Sequence, residues 1–133
     1  MSADFNVYIA GPLSDQPPGY LANVARLGQV SRELTEAGYI TLNPAADLIE
    51  GLMSATPWPL EMYQQRSLGH LRMLQYVPHG ALYVDRDTST STGQPSRGVA
   101  REIMVADDLL IPVFYSRADL DLWRIRAQAE AAR

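Results

Sequence analysis

Residues 80–115 read GALYV, then DRDTSTSTGQP, then SRGVAREIMVADD, then LLIPVFY. The first piece is a short apolar run of strand length, and the second is a loop of small polar residues with Gly and Pro. In the third, Val99, Ile103 and Ala106 recur at helical spacing, and Ser96 stands where a helix N-cap belongs. The fourth is apolar again. Strand, loop, helix and strand in that order form one unit of an α/β sheet.

The same alternation runs through the rest of the chain. FNVYIA (5–10) and GYITL (38–42) are two further apolar runs. All four are nearly continuously apolar rather than alternating, as in strands covered by helices on both faces. Between them, Tyr20, Val24, Leu27, Val30, Leu34 and Ala37 mark a helix that Gly38 ends. A second helix is expected from Pro59 to Tyr76, stopped by Pro78, and a last one from Arg117 to Arg133. The connection 43–58 carries a short helix candidate at Ala45–Leu52. The order predicts one α/β domain over residues 1–133, with a parallel sheet and right-handed crossovers.

Composition narrows the function. There is no Cys in the 133 residues, which excludes disulfides, thiolate metal sites and Cys nucleophiles. Eleven basic against fifteen acidic residues give a net charge of −4 with no basic stripe, so a nucleic-acid polymer is not the expected partner. The start, MSADFNVYIAG, has an acid where a signal peptide has bases, and no run approaches a membrane span. A cytoplasmic protein without membrane association is expected. His70 and His79 have no second metal ligand nearby, so no metal is expected.

In a parallel sheet the ligand lies beyond the carboxyl ends of the strands. Here those ends run into Gly11-Pro12, Asn43-Pro44, Asp85-Arg86-Asp87 and Tyr115-Ser116. The Ser96 helix begins at the same rim. Its free N–H groups and positive dipole end suit an anion. Gly98 lets a ligand come close, and helical side chains lean N-terminally, which brings Glu102 over Gly98. Spacing alone leaves Glu102 as either an exposed helix residue or the working group of a site. Arg97 and Arg101 read as solvated, although Arg97 is within reach of a phosphate. Asp85 reads equally as turn residue or site acid. Tyr8 reads as core, with a hydroxyl that needs a partner such as a carboxylate. Met53 and Trp58 read as loop packing rather than as a stacking surface for a base.

The ordered set YIAGP, GY-x-x-x-NP, an acid after the third strand and S-x-G-x-x-x-E opening a helix resembles the nucleoside 2-deoxyribosyltransferase superfamily. That superfamily includes the 2′-deoxynucleoside 5′-phosphate N-hydrolases, and the resemblance is nearest to a phage-rich branch of small proteins. It covers about residues 6–115. It implies a flavodoxin-like, Rossmann-like three-layer sandwich with a four- to five-stranded parallel sheet. It also implies cleavage or transfer at the N-glycosidic bond of a 2′-deoxynucleoside or its 5′-monophosphate, with no cofactor. Glu102 would be the nucleophile, Asp85 or Asp87 the acid, and Tyr8 the residue that holds the glutamate. Gly11, Pro12, Asn43, Asp87, Ser96, Arg97 and Gly98 would bind substrate, and Ser at position 96 rather than Asp favours a 5′-phosphate. A homodimer or larger assembly is implied too. The alternative is a nucleotide-binding protein that uses the same pocket without turnover.

Overall fold

The computed structural model describes residues 4–11, 19–56, 58–85 and 96–133. In chain order the elements are β1 (Asn6–Ala10), α1 (Gly19–Glu36), β2 (Ile40–Leu42), α2 (Asp47–Met53), α3 (Leu60–Met73), β3 (Gly80–Val84), α4 (Arg97–Asp108), β4 (Val113–Phe114) and α5 (Arg117–Ala131). A 3-10 turn at Pro44–Ala46 leads into α2, and another at Leu74–Tyr76 prolongs α3. No described helix is long and apolar enough to cross a membrane.

The strands form one parallel sheet in the order β2-β1-β3-β4. Because β-strand side chains alternate, β1 divides its residues between two cores. Val7 and Ile9 join Leu27 and Leu34 of α1 and Leu120 of α5 on one face. Tyr8 and Ala10 join Leu71 of α3 and Val99 and Ala106 of α4 on the other. The result is the expected α/β sandwich of helices, sheet and helices, consistent with a flavodoxin-like fold. The chain moves from β2 at one side of β1 to β3 at the other, so the order reverses between β1 and β3. A crevice opens at such a reversal, beyond the strands' carboxyl ends.

Two elements differ from their expected length. GYITL contributes only Ile40–Leu42, because Gly38 takes a positive φ of 96° and Tyr39 N–H returns to Leu34 O at 3.1 Å to close α1. LLIPVFY contributes only Val113–Phe114. Its first half closes α4 instead: Leu109 N–H bonds Val105 O at 3.0 Å and Ile111 N–H bonds Ala106 O at 2.9 Å. Leu110 between them has φ 59°, and Pro112 has no N–H for the sheet.

Candidate functional site

A cavity of about 360 Å³ lies at the reversal point, within the size range of small-molecule sites. Its floor is built by Gly11 after β1 and by Ser96, Gly98, Val99 and Glu102 of the α4 start. Pro44 and Ala45 close one side. Tyr20 of α1, Trp58 of the α2–α3 connection, and Leu60, Tyr63, Gln64, Ser67 and Leu68 of α3 make a wall that carries three aromatic rings.

Gly11 is there because α1 packs tightly over the strand end. A Cβ at this position would stand 2.5 Å from Leu27 Cδ2, and Leu27 is fully buried. Ser96 caps α4 by accepting the Val99 N–H at 3.4 Å, so its own hydroxyl proton stays available. Gly98 leaves open space: a Cβ there would approach nothing nearer than Ser96 Oγ at 3.8 Å. Glu102, one turn further on, therefore meets no side chain between itself and the cavity.

Glu102 lines the cavity, yet its Oε2 is shut off from solvent. Burial raises its pKa to about 7, and the hydroxyl of Tyr8 pulls it part of the way back. Tyr8 points to this side of the sheet by strand alternation. Its own pKa is pushed far up by burial and by the Glu102 charge, and the Ser67 hydroxyl acts on it in the opposite direction. Even so, neither Tyr8 Oη nor Glu102 Oε2 has a partner at hydrogen-bonding geometry. Buried polar atoms without partners are rare in native proteins. Of the two, Glu102 lines the cavity, and Tyr8 neighbours Glu102 without being part of the cavity wall.

The remaining expected site residues fall in other places. Asp85 does end β3, as the sequence indicates, and it is buried. It is not part of the cavity wall. Ala81 and Tyr83 pack against the α1 face, and alternation sends Asp85 to that face too. There the Arg26 guanidinium holds it with two bonds of 3.0 Å. Asn43 turns its side chain onto its own backbone, accepting Ala45 N–H at 3.0 Å, and so shapes the Pro44–Ala45 side without lining the cavity. Arg97 is exposed on the first turn of α4 and outside the cavity wall, whereas Arg101 lines it. Pro12 and Asp87 lie outside the described residues.

Sequence reasoning missed the aromatic wall. Trp58 is a cavity residue, its ring 5.2 Å from that of Tyr63, rather than packing within its own loop. One signal was available: Leu60, Tyr63, Gln64, Ser67, Leu68 and Leu71 share one helical face, and two polar residues interrupt it. A further buried carboxylate, Asp47 at the start of α2, was also missed. Its pKa is raised by burial against the opposing charges of Arg66 and His70, and its Oδ2 has no partner. Among the described residues no group of His, Asp and Glu is arranged to hold a metal. Comparison of the chain with protein-family models, curated proteins and solved structures finds no match.

Proposed function

We propose that the protein cleaves or transfers at the N-glycosidic bond of a 2′-deoxynucleoside or its 5′-monophosphate, with Glu102 as nucleophile. The observation that carries this reading is the Glu102 carboxylate, with one oxygen buried and unpartnered beside Tyr8 at the floor of an aromatic-walled cavity. The motif order resembles that of the nucleoside 2-deoxyribosyltransferase superfamily, and this supports it.

In this mechanism the ionised Glu102 attacks C1′ of the sugar while the C1′–N bond breaks. The bonding pair leaves with the base, which takes up a proton from water. The sugar is then held as an ester on Glu102, and water or a second base releases it. A carboxylate whose pKa burial raises to about 7 is, once ionised, a stronger nucleophile than an exposed glutamate. Tyr8, kept protonated by its burial and by the Glu102 charge, is the neighbouring donor toward which the ionised carboxylate closes a hydrogen bond when substrate binds. The base stacks against Trp58 and Tyr63, and the 5′ end points to Ser96 and the first N–H groups of α4.

The test is a panel of 2′-deoxynucleosides and their 5′-monophosphates, followed for free base by chromatography. Base release by the wild type, and its loss in Glu102→Ala, is the expected result. One observation favours a second reading, that of a nucleotide binder without turnover. Asp85, the candidate acid, is tied to Arg26 on the other face of the sheet. That reading predicts saturable binding by calorimetry with no base released from any member of the panel.

A further inference from the structure

We propose that Arg66 is a positioning residue that holds the aromatic wall of the cavity in place by joining α2, α3 and Trp58. The inference depends on the function proposed above only in its kinetic arm.

Arg66 lies on α3 between two cavity residues, Tyr63 and Ser67, but on the flank of the helix that faces α2. Its guanidinium meets three groups. Nε is 3.6 Å from Asp47 Oδ1, Nη1 is paired with Glu50, and Cζ lies 5.9 Å from the centre of the Trp58 ring. Asp47 and Glu50 are three residues apart in the first turn of α2, so both carboxylates face the same cation. Trp58 belongs to no helix or strand. Its ring centre lies 5.2 Å from that of Tyr63 and 5.9 Å from Arg66 Cζ.

Gly51, one residue after Glu50, shows how closely α2 is seated. A Cβ there would collide with the Tyr63 hydroxyl, so α2 rests directly on the wall that Arg66 fastens. A planar, five-donor guanidinium can serve two carboxylates and lie over a ring at once; an ammonium is a single point charge and cannot. Arg66 also offsets the charge of Asp47, which is almost fully buried and acts on Tyr8. One exposed-edge residue thus reaches both the wall and the surroundings of the carboxylate site.

Trp58 and Trp123 are the two tryptophans of the chain, and Trp123 packs on Phe5 at 5.2 Å, among the other core. In a Trp123→Phe background, acrylamide quenching of fluorescence reports Trp58 alone and needs no ligand. Arg66→Ala is expected to raise the quenching constant by about twofold or more, with Arg66→Lys and Glu50→Gln in between. For a nucleotide that the wild type turns over, Arg66→Ala is expected to raise KM about tenfold and to leave kcat within about twofold. Equal quenching in wild type and a folded Arg66→Ala, checked by circular dichroism, overturns the proposal. Should Arg66→Ala not fold, unchanged quenching in both Arg66→Lys and Glu50→Gln overturns it instead. If no nucleotide is turned over, the proposed function fails while the fluorescence result still decides the role of Arg66.

Discussion

Glu102 carries opposite demands from stability and from chemistry. Its folded pKa of about 7 lies above the ordinary value of 4.5, because burial disfavours the charge. The folded state therefore holds its proton more tightly than the unfolded state, and stability falls as pH rises from about 4.5 to about 7. Above that window the carboxylate costs up to about 3 kcal/mol, from the size of the shift. Glu102→Gln is thus expected to be more stable than wild type at pH 8 by about 1–3 kcal/mol in urea unfolding, with the gain gone below pH ~4.5. Tyr8→Phe removes the hydroxyl that lowers the Glu102 pKa. The acid limb of the pH–rate profile should then move to higher pH than in wild type. The stability loss should stay under about 1 kcal/mol, because Tyr8 Oη has no well-formed bond to lose. Both residues were visible in the sequence for local reasons. Tyr8 alternates with Val7 and Ile9, and Glu102 follows Gly98 by one helical turn. Trp58 was not, because its place in the wall depends on how α2 meets α3, and no local spacing encodes that.

At the scale of elements, the joint between α4 and β4 holds the clearest local strain. Leu110 takes a left-handed φ of 59° and is 89% exposed, so its side chain contributes little to the core while its Cβ opposes the backbone. Leu110→Gly is expected to stabilise the protein by about 0.5–1 kcal/mol, read as a rise in the urea midpoint at constant slope. The same joint explains why this part of the sequence misled. An apolar run of seven residues looks like one strand, but here Leu109, Leu110 and Ile111 satisfy the last carbonyls of α4 before the chain pairs with β3. Strands β1 and β3 were legible in full, since each is buried along most of its length and no helix end borrows from it. The start of α4 was legible too, because Ser96 is both a sequence signal and an observed cap.

Across the whole molecule, strand alternation separates two tasks that the sequence places close together. Asp85 ends β3 and Ser96 opens α4, yet Asp85 faces α1 and Glu102 faces α3. The Arg26–Asp85 pair fastens α1 to the end of β3, with Asp85 3% exposed and Arg26 44% exposed. Removing the cation leaves a buried carboxylate, so Arg26→Ala is expected to cost about 2 kcal/mol, less than for a fully buried pair because Arg26 is partly solvated. Asp85→Asn in the same background should recover part of that loss in the urea midpoint. The order of elements was readable from the chain, and so was the rim on which the cavity lies. Which face each strand-end residue turns to was also implied by parity, but only once the register of β3 was known. The central claim, that Glu102 takes the sugar covalently, can be tested directly. The protein is incubated with 2-fluoro-substituted deoxynucleosides and their monophosphates, which slow release of the sugar, and is then mapped by peptide mass spectrometry. The account predicts one sugar or sugar phosphate unit on the peptide that contains Glu102, and none in Glu102→Gln. A wild type that releases base while Glu102 stays unlabelled, or that carries the label on another residue, would contradict it.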